Sequence, residues 1–283
     1  MNNNPKTGKG KRRLYEVGCV AWVDLLGYGS MLADASFDPT ASISQKAISR
    51  LFDFHIITSK HAHRYFPIHA INDGAVIFRD LSPRTPSVTF DFLDRAIKLF
   101  QKINDFDKKN GFPGARMVIA CGFRVRMNNQ EIFQDHRKIK GIKEKLRNGL
   151  ISADQAVSES ISIRHNFGLI PELQANFAFT KAYLVEQGGS KEGFPGSNCF
   201  IDLSMFGKTI PDWISFEKQI SWEKMGMKGM FGQFKSIDRV LANSSRHQGI
   251  LDAFDIAENI SIQDNISNVL VKSTIKKIGS ANK

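Results

Sequence analysis

Two short acidic tips restrict this chain more than any other feature. Ile68-His-Ala-Ile-Asn-Asp-Gly-Ala-Val-Ile-Phe78 sets two apolar arms around Asn72-Asp73-Gly74, which predicts a tight β-hairpin. Upstream, Val17-Gly-Cys-Val-Ala-Trp-Val-Asp-Leu25 is an apolar run that reaches a carboxylate, followed by Gly27 and Gly29. It reads as a buried strand running into a glycine turn. If the two strands are neighbours, Asp24 and Asp73 project from one edge of a sheet. Carboxylates brought together repel unless protonated or neutralised, and a bound Mg²⁺ or Mn²⁺ neutralises them. Spacing alone leaves a plainer pair of roles open, with Asp73 a good hairpin residue and Asp24 a cap for the next helix.

The rest of the chain alternates strand and helix signals. Ile43 to Phe66 has apolar residues at helical spacing and is expected to end at Pro67. A second helix carries Leu93, Ala96, Ile97, Phe100 and Ile103 on one face and closes at Gly111, Pro113 and Gly114. Arg116 to Arg126 reads as a strand, and Gln130 to Ser160 as a polar, basic, mostly helical surface insertion. Asn176 reads as the N-cap of a helix from Phe177 to about Gln187, stopped by Gly188 and Gly189. Strands are expected at Cys199–Leu203 and Trp213–Trp222, and a late helix at Gln248–Asn259. Met225 to Phe234, with Gly226, Gly229 and Gly232, follows no interpretable spacing.

This order predicts an α+β sandwich, a mainly antiparallel sheet with helices on one face plus a helical insertion at about 128–165. Residues 1–13 read as a disordered basic arm. Residues 14–210 read as the main domain, and 211–283 as its C-terminal extension and tail.

The formal charge of +11 comes largely from three concentrations: Lys6 to Arg13, Arg137 to Arg147, and Lys272 to Lys283. A basic surplus attracts phosphates of any kind, although solvated tails explain much of it. Without a zinc-finger, RNP or aromatic–basic pattern, sequence-specific nucleic-acid binding is not expected. Cys19, Cys121 and Cys199 are odd in number and far apart, which suits reduced thiols in a cytoplasm. No apolar run approaches the roughly 20 residues of a membrane span, and no apolar segment follows the basic start. The P-loop signature is missing, so ordinary NTPase chemistry is not expected. Gly27 and Gly29 instead put backbone N–H groups where a triphosphate could approach.

Four segments, in order, carry a resemblance. Val20-Ala-Trp-Val-Asp24-Leu-Leu-Gly27-Tyr28 resembles the first-strand motif of class III nucleotidyl cyclases. Ile71-Asn72-Asp73-Gly74 is similar to that family's second metal-binding turn, with Asn72 where a glycine is usual. Arg116-Met-Val-Ile-Ala-Cys-Gly122 resembles its next strand. Asn176-Phe-Ala-Phe-Thr-Lys181-Ala-Tyr-Leu-Val-Glu186 looks like its substrate helix, in the version similar to bacterial Pycsar cyclases, which make cyclic UMP or cyclic CMP as an anti-phage alarm.

The resemblance implies two Mn²⁺ or Mg²⁺ ions per site at Asp24, Leu25 and Asp73. It implies substrate contacts from Gly27, Tyr28, Gly29, His69 and Thr180, and a catalytic cation at Lys181. It further implies a nucleoside triphosphate substrate, a head-to-tail homodimer, and a separate effector that reads the cyclic nucleotide. Tyr28 is open to two roles, packing against the loop or touching nucleotide. Arg116 reads as a structural or dimer-contact residue. Asp202 invites a third-carboxylate reading, although the family places no metal there.

Departures stand beside the matches. Thr180 and Leu184 occupy the positions of the family's transition-state Asn and Arg. His69 and Leu173 occupy those of its purine-selecting Lys and Asp. The departures suit a pyrimidine pocket, UTP or CTP. They equally suit a silent nucleotide-binding module, and a basic nucleic-acid-binding protein is the third alternative.

Overall fold

The computed structural model describes residues 14–126, 134–163, 170–268 and 270. The basic arm expected at 1–13 and the basic tail beyond residue 270 lie outside the described residues. The chain divides into two compact units, residues 126–174 (grouped with 1–13) and residues 14–125 with 175–283.

The larger unit is built on strands β1 (Leu14–Leu25), β2 (Ile68–Ile71), β3 (Gly74–Asp80), β4 (Ala115–Arg126), β5 (Cys199–Asp202), β6 (Ile214–Lys224) and β7 (Met227–Ile237). They form one sheet in the order β2-β3-β1-β4-β5-β7-β6. The β1/β3, β2/β3, β5/β7 and β6/β7 pairs are antiparallel, and β4/β5 is parallel. The unit's helices are α1 (Tyr28–Asp34), α2 (Ser42–His61), α3 (Ser87–Lys109), α6 (Phe177–Gly188), α7 (Arg239–Ser244) and α8 (Ala253–Asp264). The smaller unit holds α4 (Gln134–Arg147) and α5 (Ala153–Ile161). Ser152 and Gln155 close a capping box on α5, and Ile142 and Ala156 are buried.

The fold is α+β, and alternation along β1 explains its layering. Cys19, Ala21, Val23 and Leu25 join a core with Ala47, Phe54 and Ile57 of α2, Phe92 to Ile103 of α3, and Ile256 and Ile260 of α8. Leu93, Ala96, Ile97, Phe100 and Ile103 recur at helical spacing, so one stripe of α3 is fully turned inward. The opposite face belongs to α6, whose Phe179 and Tyr183 meet Trp22 edge-on at 6.0 and 5.6 Å between ring centroids. A Cβ at Gly122 would lie 2.4 Å from the backbone nitrogen of Ala178, so only glycine there lets α6 rest on the sheet. Most helices therefore stack on one side, while α6 crosses the other.

Several elements differ from the sequence reading, and the late helix expected at Gln248–Asn259 lies at Ala253–Asp264, capped by Asp252. The first long helix ends at His61, well before Pro67. His63 and Phe66 exchange N–H···O bonds at 3.1 and 2.8 Å, and this turn carries Phe66 into the core against Phe92. The uninterpreted stretch after Met225 is strand β7, entered by a two-residue turn in which Met225 and Gly226 both have positive φ (52° and 80°). Gly229 and Gly232 leave room for the rings of Phe231 and Phe216, which a Cβ would strike at 2.6 and 2.5 Å. In the first hairpin the turn sits one residue earlier than Asp-Gly chemistry suggests. Ile71 pairs with Gly74, so Asn72 and Asp73 form the tip. Asn72 takes the positive φ (53°), which asparagine tolerates better than most residues. Gly74 is needed for space, because a Cβ would meet the Trp22 ring at 2.8 Å.

A buried ion pair joins these pieces. Arg50 of α2 donates to Asp107 of α3 at 2.5 and 3.0 Å, and to the carbonyls of Leu26 and Gly114 at 3.0 Å each. Asn104 brackets the start of β4, accepting from the Ala115 N–H at 3.0 Å and donating to its carbonyl at 3.3 Å. Removing one partner of such a buried pair strands the other without compensation. Arg50→Met is therefore predicted to cost about 3–5 kcal/mol of stability, read as a lowered urea midpoint. A loss below about 1 kcal/mol would show that the loop after Asp24 is held by other means.

Candidate functional site

The β1/β3 register brings the two acidic tips together. Asp24 pairs with Gly74, and the Leu25 N–H donates to the Asp73 carbonyl at 3.1 Å. Asp73 thus stands beside the end of β1, at the rim that carries Asp24. Its carboxylate accepts from the Asn72 side-chain amide at 2.8 Å, and the Asn72 carbonyl lies 3.1 Å from the His55 ring of α2. The turn is held from two sides.

On its other side, β1 faces β4. Glu16 meets Arg124, Cys19 Sγ lies 2.8 Å from Cys121 Sγ, and the Leu26 N–H donates to the Gly114 carbonyl at 2.9 Å. Partner numbers fall along β4 as they rise along β1, so this pair is antiparallel too. The register sets Arg116 across from Asp24. Arg116 Nη1 donates to the Glu186 carboxylate at 3.1 Å and to the Glu186 carbonyl at 3.2 Å. Its Nε–H is buried and has no hydrogen-bond partner among the described residues. Gly189, with φ of 49°, makes room for this guanidinium, since a Cβ there would lie 2.9 Å from Nη1. The last turn of α6 thereby delivers Glu186 to the acidic rim.

These neighbours change the carboxyl chemistry. Burial pushes Asp24 from an ordinary 3.8 to about 7, with Glu186 and then Asp73 adding repulsion, while Arg116 and Arg50 oppose them. Glu186 is likewise raised, chiefly by burial, against the pull of Arg116. Tyr28 is raised by burial and then by the Asp73 charge, so its phenol senses the same rim. Among the described residues, no group of three or more His, Cys, Asp or Glu side chains is placed to hold a metal. Two carboxylates nevertheless fit a hard divalent ion such as Mg²⁺ or Mn²⁺, which commonly takes one or two protein carboxylates and completes its shell from phosphate and water. Such a charge would offset the repulsion around Asp24.

The other sequence-derived candidates divide. Gly27 caps α1 with φ of 74°, a left-handed turn that suits glycine. Gly29 is exposed, and a Cβ there would meet nothing within 4 Å. Leu25 buries its side chain in the core, so its only metal-donor atom is the carbonyl oxygen. Tyr28 is also packed in the core. His69 pairs with Val76, which pairs with Trp22, so all three share the face of Asp24. The His69 ring stacks on Phe78 at 5.6 Å.

Thr180 is exposed, and its hydroxyl donates back to the Asn176 carbonyl at 3.3 Å. Lys181 requires a correction. Its side chain is 2% exposed, and Nζ donates to Asp202 Oδ2 at 3.3 Å. Burial against the sheet and the charge of Asp202 keep it from the phosphate-facing role expected of it. Asp202 is engaged as well, accepting from the Cys121 N–H at 3.3 Å and the Ser204 N–H at 3.0 Å.

Arg116, expected as a structural or dimer-contact residue, is held in a part-buried ion pair, and its partner Glu186 is one that sequence reasoning does not supply. The only local signal was an acid in the last turn of a helix with a glycine pair behind it.

No family model matches the chain, and no curated protein matches it in sequence. Solved structures that resemble it include the guanylyl cyclase Cya2, at 12% identity over 80% of this chain and 95% of that one, with a TM-score of 0.41. The guanylate cyclase domain of RhGC from Catenaria anguillulae, solved with GTP, has 10% identity over 80% and 100%, with a TM-score of 0.39. A bacterial light-regulated adenylyl cyclase has 9% identity over 88% and 60%, with a TM-score of 0.44. No helix among the described residues is long and apolar enough to cross a membrane.

Asp24 sets a pH signature. Its folded pKa lies above the unfolded value, so the stability it contributes is present in acid and is lost as pH rises from about 4 to about 7. The wild type is predicted to lose on the order of 1–2 kcal/mol over that window relative to Asp24→Asn, measured by urea unfolding. A divalent ion held by Asp24 would have to displace the same proton, so such binding is predicted to tighten as pH climbs toward 7, read by calorimetry with Mg²⁺ and with Mn²⁺. Equal pH profiles for the two proteins would refute the assignment.

Proposed function

We propose that this chain is a nucleotidyl cyclase that converts a pyrimidine triphosphate, UTP or CTP, to its 3′,5′-cyclic monophosphate and pyrophosphate. The observation that carries the reading is the meeting of Asp24 and Asp73 at one rim, inside motifs that resemble the class III cyclases in the same order. A bound divalent ion would supply charge neutralisation for the triphosphate and a lower pKa for the attacking ribose hydroxyl.

The chain's own residues account for positioning. Asp24 and Asp73 would hold the ion, and the open position at Gly29 leaves room for phosphate. Arg116 adds a buried cation whose Nε–H lacks a partner among the described residues, a donor suited to an anionic oxygen. Neither His69, on the Asp24 face, nor Leu173 supplies the charge of a purine selector, which supports a pyrimidine. In a head-to-tail homodimer, exposed Thr180 is the member of the α6 pair that one copy can present to the other, because Lys181 is buried beside Asp202. An anti-phage second messenger read by a separate effector completes the proposal.

One observation favours a second reading. Thr180 bonds to its own helix, Lys181 is paired with Asp202 away from the rim, and Leu184 carries no charge, so these α6 positions offer no cation at the rim for the transition state. A module that binds nucleotide without turnover would have this character.

Incubating the purified protein with each NTP and Mn²⁺, with products identified by mass spectrometry, separates the readings. The prediction is a cyclic pyrimidine monophosphate, lowered at least about 100-fold in Asp24→Asn and in Asp73→Asn. Metal-dependent NTP binding with no cyclic product would select the silent module, and neither binding nor product would end the cyclase reading.

A further inference from the structure

Strand β5 stops at Asp202, while its neighbours run on, β4 to Arg126 and β7 back to Met227. The sheet therefore has a notch between β4 and β7 beyond the end of β5. A cavity of about 350 Å³ opens there, lined by Phe123, Phe177, Met225, Met227, Ile260 and Ile266, with Lys181 among them. Tyr15, Asp264 and Ser267 complete the polar part of the lining. That volume lies within the range of small-molecule sites, and a mostly apolar lining with a few placed polar groups is their usual composition. Phe177 and Met225 are exposed, at 51% and 83%, large apolar side chains left in water beside an apolar cavity.

Lys181 gives the cavity its chemistry. An ammonium has three donors. Among the described residues, Nζ has one hydrogen bond, to Asp202 at 3.3 Å. Donors left without acceptors in a buried position are costly, so a ligand acceptor here would be stabilising. The Lys181–Asp202 pair has no net charge. Asp264 also lines the cavity, so an anionic head group would meet its carboxylate as well as the Lys181 ammonium, whereas a neutral carbonyl accepts from Lys181 without that repulsion.

We propose that this notch is a binding site for a small, largely apolar molecule bearing one uncharged carbonyl acceptor, which Lys181 holds. It is distinct from the acidic rim. Cys121, which lines the cavity and donates its N–H to Asp202, lies about 16 Å along β4 from Arg116 of the rim at ~3.3 Å per residue. The proposal does not depend on cyclase activity.

Calorimetry on the full chain tests it with 2-nonanone and nonanoate, which share a hydrocarbon length and differ in head-group charge. The ketone is expected to saturate one site per chain and raise Tm. Nonanoate is expected to bind about tenfold more weakly, the effect of one unfavourable charged contact. Met227→Trp, which fills the cavity and leaves Lys181 and Asp202 in place, is expected to remove saturable binding. Lys181→Met should weaken the ketone about tenfold; should that variant fail to fold, the Met227→Trp result decides. Three outcomes would each overturn the proposal: no saturation by 2-nonanone, unchanged binding in Met227→Trp, or nonanoate binding as tightly as the ketone. The first of these would leave the Lys181–Asp202 pair a purely structural closure of the notch.

Discussion

The pairing of β1 on both edges is the constraint that creates the acidic rim. A strand's side chains alternate between faces, so a slip of one residue would exchange Asp24 with the buried Val23 or Leu25. Hydrogen bonding to β3 on one side and β4 on the other makes such a slip costly twice over. The same register that packs Cys19, Ala21 and Val23 into the core sets Asp24 between Asp73 and Arg116. Arg50 then anchors the next turn of the chain, holding the Leu26 and Gly114 carbonyls while Asp107 balances its charge. The loop after Asp24 therefore cannot drift independently of β4.

Charge at the rim is balanced by parts from distant stretches of sequence. Asp24, Asp73 and Glu186 stand against Arg116 and Arg50, and the acids outnumber the bases. Burial amplifies the mismatch, because partial removal from water penalises each charged form. A site of this kind favours an arriving cation, and an anion that comes with it. Helix α6 serves both ends of the sheet in this arrangement. Glu186 on its last turn holds Arg116 at the rim, while Lys181, five residues earlier, meets Asp202 beside the notch. The two ionic contacts help seat the helix on a sheet face whose glycine, Gly122, allows close approach.

Local chemistry was readable where one residue's conformational preference decided the outcome. The Asn176 cap, the α3 stripe and the first hairpin all arise from side chains acting on their own backbone or at helical spacing. The hairpin's tip falls at Asn72-Asp73, inside the Asn72-Asp73-Gly74 turn that the sequence marks, while the need for a glycine at position 74, beside the Trp22 ring, is a tertiary matter. Strand β7 was illegible for a related reason. Gly229 and Gly232 break the alternation that marks a strand, and they are tolerated because the Phe231 and Phe216 rings occupy the space. Lys181 was misjudged because helical position shows that a side chain leaves the axis, not whether a carboxylate from another strand awaits it.

By itself, the sequence determined the alternation of elements, the α+β class, and two carboxylates each ending an apolar arm, since these depend on short-range periodicity and turn chemistry. Only the tertiary structure decided that Arg116 and Glu186 belong to the same rim, that Lys181 does not, and that β5 ends early enough to leave a cavity. Those outcomes depend on strand register and on which helix crosses which face, contacts between residues far apart in the chain that no local pattern encodes.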